Sequence, residues 1–252
     1  MSTGTSGQAL VTFEDVHKSF HTGSGETVAL QGISQSIGKG EFVAVIGPSG
    51  CGKSTLLRLL CGLEQPTQGR IRYSGGGAVD FGVAFQEHRL LPWMTVEDNI
   101  ALADHMTAKF SKASRERARD LCALVGLNGF EKRMPSELSG GMRQRTSFAR
   151  AMYAEPELLL LDEPFGALDA LTREKIIADA ERIWLERRFT AFLITHSIDE
   201  AVQLADRVLV LSPRPGRVTA EITVDLPRPH VRERSNPRYV QLCDQLRRLL
   251  EI

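Results

Sequence analysis

Two stretches of this chain carry the residue types and spacing of phosphate chemistry. Gly47-Pro48-Ser49-Gly50-Cys51-Gly52-Lys53-Ser54 fits G-x-x-x-x-G-K-[ST]. Its glycines let successive backbone N–H groups converge on phosphate oxygens with no Cβ in the way, and a helix N-terminus behind them adds favourable partial charge. In such a loop Lys53 reaches the outer phosphates and the Ser54 hydroxyl is placed to coordinate Mg²⁺. Leu158-Leu159-Leu160-Leu161-Asp162-Glu163 is an apolar run ending in two carboxylates. Asp162 is placed to support Mg²⁺, and Glu163 can orient and deprotonate an attacking water. Alone, a strand ending in Asp-Glu is an ordinary solvated strand end. After a phosphate loop, hydrolysis or transfer of a nucleotide phosphate is the better reading.

A third stretch selects among such proteins. In Leu138-Ser139-Gly140-Gly141-Met142-Arg143-Gln144-Arg145, Ser139 could simply cap the helix that follows. A serine and glycines at a helix N-terminus are also a second phosphate clamp. Two clamps in one chain suggest two chains facing each other.

The elements that must position these groups follow from the apolar pattern. Extended stretches are expected from Val11 to Phe20 and over Thr27–Ile37, Phe42–Ile46, Ile71–Tyr73 and Phe81–Phe85. A helix is expected from Lys53 to about Cys61. The segment Glu87–Ala154 is helical in pattern, over Val96–Met106, Ser114–Val125 and Met142–Ala154. Strands then return at Leu158–Leu161, Ala191–Ile194 and Val208–Leu211, alternating with helices over Ala170–Arg188 and Ile198–Leu204. Pro213-Arg214-Pro215-Gly216 leads into Val218–Val224 as a hairpin, and Tyr239–Ile252 closes as an amphipathic helix. Short buried strands alternating with helices imply an α/β fold with a largely parallel sheet covered on both faces. Residues of about 87–155 read as a helical subdomain inserted into a core of about 1–86 and 156–252.

Composition narrows the partners. The chain has 252 residues, 42% hydrophobic and 25% charged, as for a globular protein with a substantial core. Lys plus Arg number 31, as do Asp plus Glu, so no global field recruits nucleic acid. Met1–Ala9 lacks the pattern of a signal peptide and reads as a mobile tail, and no apolar run approaches the ~20 residues that span a bilayer. Cys51, Cys61, Cys122 and Cys243 have no paired spacing, which speaks against zinc and disulfides. Three read as small buried hydrophobes; Cys51, in the phosphate loop, is expected to react with thiol reagents and to be shielded by nucleotide.

Across essentially its whole length the sequence resembles the nucleotide-binding subunit of ABC transporters. Leu138–Arg145 is similar to that family's signature sequence, Gln86 to its Q-loop glutamine, Ala167-Leu168-Asp169 to its D-loop and His196 to its switch histidine. The resemblance implies an α/β P-loop NTPase with a RecA-like, mostly parallel core, an antiparallel β edge and an inserted helical subdomain. It implies ATP and Mg²⁺ as ligands, with Phe20 stacking on adenine and residues 47–55, including Thr55, around the phosphates. Gln86 would touch Mg²⁺ and the attacking water, and His196 the γ-phosphate. Ser139, Gly140 and Gly141 would clamp the nucleotide of a second copy, and Asp169 would cross the homodimer interface. Met142, Arg143 and Gly166 depart from common family residues at positions that touch no phosphate.

The same resemblance implies integral membrane permease subunits as partners, a periplasmic or lipid-anchored binding protein acting through them, no nucleic acid, and a peripheral place on the cytoplasmic face of the membrane. Leu90-Leu91-Pro92-Trp93-Met94 would leave an apolar patch for the permease. That sequence and Pro213–Arg217 resemble the nitrate/sulfonate/taurine importer branch, and with the sequence ending at Ile252 no appended regulatory domain is expected. A soluble ATPase acting on DNA or ribosomes is the competing reading, though such proteins carry two cassettes or a long coiled coil. A P-loop kinase or GTPase would leave Leu138–Arg145 and His196 unexplained. The other histidines, His17, His21, His88, His105 and His230, read as packing or surface residues, and Arg115–Arg119 and Arg232–Arg234 as solvated runs.

Overall fold

The structure, a computed structural model, describes residues 8–23, 25–77, 79–166, 168–228 and 234–250. The first seven residues, Ala167, His230, Arg232 and Ile252 lie outside them, with whatever was expected there. The chain divides into two compact units, Met1–Val79 with Arg188–Ile252, and Asp80–Arg187.

The first unit opens with long strands β1 (Ala9–Thr22) and β2 (Gly25–Gly38). They pair antiparallel from Ala9↔Gly38 to Thr22↔Gly25. After β3 (Phe42–Ile46) and α1 (Lys53–Leu60), β4 (Gln68–Tyr73) adds to the other side of β1, giving the antiparallel order β2-β1-β4. This is the expected antiparallel part of the fold. All five residues of β3 are buried, which is why its sequence is continuously apolar rather than alternating.

The second unit contains β5 (Phe81–Ala84), the short helices α2 (Val96–Ile100) and α3 (Leu102–Met106), α4 (Lys112–Leu124), α5 (Gly140–Met152), β6 (Leu158–Asp162) and α6 (Ala170–Arg187). β5 and β6 pair in parallel, Ala84 opposite Leu161. The single helix expected over Val96–Met106 is two, separated at Ala101, the C-cap of α2 and N-cap of α3. Caps set the other starts. Ser111 and Ser114 form a reciprocal box that starts α4 at Lys112, and Ser139 accepts from Met142 N and starts α5 at Gly140. The arginines of α4 are not simply solvated, because Arg115 and Arg119 converge on the buried Glu97 carboxylate and Arg117 lies over the Tyr153 ring.

The chain returns to the first unit with β7 (Thr190–Ile194), α7 (Ile198–Leu204), β8 (Arg207–Leu211), β9 (Val218–Thr223) and α8 (Pro237–Leu249). β3 lies between β7 and β8, parallel to both, and β9 turns back antiparallel on β8. The C-terminal ends of β7, β3 and β8 therefore share one edge, the edge at which parallel α/β sheets bind ligands.

Candidate active site

In the first unit the phosphate loop joins β3 to α1. Gly50 and Gly52 have φ of 74° and 106°, in the left-handed region that glycine enters without a Cβ penalty. Gly52 is the N-cap of α1, and no side chain caps that end, so its first backbone donors stay available to an anion. Lys53 is the first residue of the helix and is 8% exposed. Its Nζ donates to the carbonyls of Gly47 at 2.8 Å and Pro48 at 3.0 Å, and lies 3.9 Å from Cys51 Sγ. The ammonium thus occupies the inside of its own loop. Pro48, Ser49, Gly50 and Ser54 are exposed and Thr55 is half-buried.

His196 leaves the same edge of the sheet. β7 neighbours β3 in register Ile194↔Val45, and Thr195 N donates to Val45 O at 3.2 Å. His196 is exposed, while its neighbours are fastened. The buried Thr195 hydroxyl donates to the buried Glu200 carboxylate and accepts from Ser197 N at 3.0 Å; Ser197 Oγ caps α7 through Glu200 N. Phe20, near the end of β1, is half-buried. Lys18 Nζ stands 4.9 Å from its ring centroid, itself held by Glu64 at 2.7 Å and Gln65 O at 2.9 Å.

The second unit carries the acidic groups. Because β5 and β6 are parallel and in register, Gln86, two residues past β5, and Asp162, the last residue of β6, leave the same end of adjacent strands. Glu163 follows with φ of 46°, a conformation costly for a non-glycine residue and one that concentrates at functional sites. The turn beyond is tied by Arg173, whose guanidinium donates to Phe165 O at 3.2 Å and Leu168 O at 2.8 Å. Asp169 Oδ1 accepts from Thr172 N at 3.0 Å, and this bonding holds the exposed Asp169 carboxyl below its usual range.

Ser139 is exposed at the N-terminus of α5, Gly140 half-buried and Gly141 buried. A Cβ on Gly141 would stand 2.6 Å from Thr172 Cγ2 on α6, so close helix packing requires glycine there. The segment after Gln86 is bound to the same helix. Arg150 donates to His88 O and Arg89 O, each at 2.7 Å, and burial lowers the Arg150 pKa. Farther on, the fully buried Asn99 accepts from Leu91 N at 2.8 Å and donates to the carbonyls of Leu91, Met94 and Thr95. These ties leave Trp93 71% exposed, with Leu90, Leu91 and Met94 half-buried.

Site residues expected from the sequence thus fall in two groups, Phe20, residues 47–55 and His196 in one unit and Gln86, Ser139–Gly141, Asp162, Glu163 and Asp169 in the other. Sequence reasoning missed the supports Arg150, Asn99, Arg173 and Glu200, which no motif marks, and it misjudged Cys51. That thiol is 1% exposed, packed against Gly47, so the expected reactivity does not follow. Among the described residues no group of three or more His, Cys, Asp or Glu could hold a metal alone. The available donors, the exposed Ser54 hydroxyl, the half-buried Asp162 carboxylate and the exposed Gln86 amide, are hard oxygens of the kind Mg²⁺ takes when phosphate oxygens complete its shell. They fit that ion.

Three comparisons bear on this arrangement. The sequence profile of a family described as ABC transporter matches residues 30–166. The chain is similar to the aliphatic sulfonates import ATP-binding protein SsuB of Bacillus licheniformis, 50% identical over 224 residues, 87% of this chain and 86% of that one. It is also similar to the taurine import ATP-binding protein TauB of Burkholderia thailandensis, 46% identical over 241 residues, 90% of this chain and 93% of that one. Among solved structures, a dimeric bacterial ABC transporter cassette superposes with a TM-score of 0.74 at 30% identity, over 85% of this chain and 98% of the other. The same cassette has been solved in a post-hydrolysis state bound to ADP and Pi, also with a TM-score of 0.74.

Proposed function

The chain belongs to the ABC transporter family, and on that premise we propose that it is the ATP-hydrolysing subunit of a bacterial importer for a small sulfonate, an alkanesulfonate or taurine. The observation that carries the cargo is the 46–50% identity to sulfonate and taurine import proteins over most of each chain. Those relatives are transport proteins, which favours this reading over an ATPase acting on nucleic acid or ribosomes.

Each group of residues then has a task. The backbone of residues 47–54 takes the phosphates at the N-terminus of α1, and Lys53 exchanges its bonds to Gly47 O and Pro48 O for the β- and γ-phosphates. Phe20 stacks on the base. Ser54, Asp162 and Gln86 are the residues that would hold Mg²⁺, which would offset phosphate charge. Glu163 orients and deprotonates the attacking water, and His196 steadies the γ-phosphate. Ser139 and Gly141 serve the nucleotide of a second copy, with Asp169 at that interface, so the working form is a homodimer.

The exposed Trp93 and its neighbours receive an integral permease, which in turn meets a substrate-binding protein outside the membrane. None of the helices among the described residues is long and apolar enough to cross a membrane, and the subunit works peripherally on the cytoplasmic face. A strain lacking this chain should fail to grow with taurine or an alkanesulfonate as sole sulfur source, yet grow on sulfate. Wild-type chain should restore growth and Glu163→Gln should not. Undiminished growth on every sulfonate would rule out this cargo class.

A further inference from the structure

The Ser212–Arg217 loop, which joins β8 to β9, is fastened to the phosphate loop at the shared edge of the sheet. Within it, Ser212 Oγ donates to Pro213 O and Pro215 O, each at 2.9 Å, and accepts from Arg217 N at 3.0 Å. It is moored to β2, where Gly216 N donates to Ala29 O at 2.9 Å and Gln31 N donates to Gly216 O at 3.0 Å. Arg217 adds two bonds to Gln31 Oε1, at 3.2 and 2.5 Å. The buried Gly216 backbone lies against the Cys51 carbonyl, with no space for a Cβ between them. Beside that contact, Arg214 Nε donates to Gly50 O at 3.2 Å.

We propose that Arg214 is a positioning residue for nucleotide phosphate binding, latching the Gly50–Cys51 peptide of the phosphate loop in its anion-binding orientation. This rests on the reading that residues 47–54 bind ATP phosphates. A loop with two left-handed glycines has many accessible conformations, and ordering it on binding costs free energy. The peptide unit is planar and trans, so a carbonyl held on one side turns the N–H on the other. With Gly50 O drawn to Arg214, the Cys51 N–H points across the loop, where it makes a 3.3 Å bond to Pro48 O. That long bond is easily exchanged for a phosphate oxygen. Arg214 can fix the orientation beforehand because its own loop is moored to β2, and preorganisation of this kind raises affinity without new ligand contacts.

The test uses the full chain with Arg214→Ala, Arg214→Met and Arg214→Lys, titrated with ATP and with ADP in the presence of Mg²⁺, alongside ATPase kinetics and thermal melting. The Ala and Met variants should weaken both nucleotides about three- to tenfold, the range of one lost hydrogen bond, and raise KM equally. Their kcat and melting temperature should match wild type, and Lys, which keeps a donor within reach, should recover most of the affinity. Wild-type affinity in a folded Arg214→Ala chain would overturn the latch, as would a fall in kcat at unchanged KM. A lowered melting temperature with Lys no better than Met would also overturn it, by reducing Arg214 to a structural residue. If wild-type chain itself bound neither nucleotide, the phosphate-loop reading beneath the inference would fail instead.

Discussion

His88 Nδ1 and Gln144 Oε1 lie 2.6 Å apart, one two residues past Gln86 and the other inside the Ser139–Arg145 stretch. With Arg150 bound to the carbonyls of His88 and Arg89, this bond makes the loop after Gln86 and α5 one mechanical piece.

Desolvation holds the half-buried His88 below its ordinary value of 6.5. Since the folded pKa is depressed, the unfolded chain binds more protons between the two values, so stability rises with pH across that window. The contribution is complete above pH about 6.5 and is lost as the pH falls toward the folded pKa. Melting temperatures measured across this range should show a fall in the wild type that His88→Gln lacks. Parallel pH profiles would dissociate His88 from acid sensitivity.

Glu163→Gln keeps the size of the side chain and removes its basicity. ATP should still bind, hydrolysis should fall by about 10²–10⁴-fold, and the ATP-bound dimer should accumulate in size-exclusion chromatography. Near-normal turnover would remove Glu163 as the base.

Lys53→Ala takes away the cation inside the phosphate loop. By comparison with single oxyanion donors, about 3–4 kcal/mol of stabilisation should be lost. Retained ATPase activity would contradict the assignment of the loop.

Gly141→Ala places a methyl group 2.6 Å from Thr172 Cγ2. The helices α5 and α6 must separate, at a cost of about 1–3 kcal/mol in urea unfolding. Adding Thr172→Ser, which deletes that methyl, should restore most of the loss. No rescue would mean that the contact is not the cause.

Cys51 should modify slowly in the folded chain with or without ATP, because burial rather than nucleotide protects it. Rapid labelling that ATP abolishes would require the loop to open far more than its packing against Gly216 and Leu30 allows.

The phosphate loop, the Asp162–Glu163 strand end, the serine-glycine helix start and the alternation of buried strands with helices were legible in the sequence. Each is local, since glycines that permit positive φ, a cap, or an unbroken apolar run act within a few residues of themselves. The break at Ala101 was not, because Val96–Met106 keeps its apolar content through it. Nor were the partnerships. Arg214 meets Gly50 from 164 residues away, and His88 meets Gln144 from 56. No spacing in the chain encodes either, for both depend on which strands and helices pack side by side. Sequence determined the chemical groups; tertiary structure decided which are buried, as Cys51 is, and which neighbours hold them, because register and packing arise only when distant segments meet.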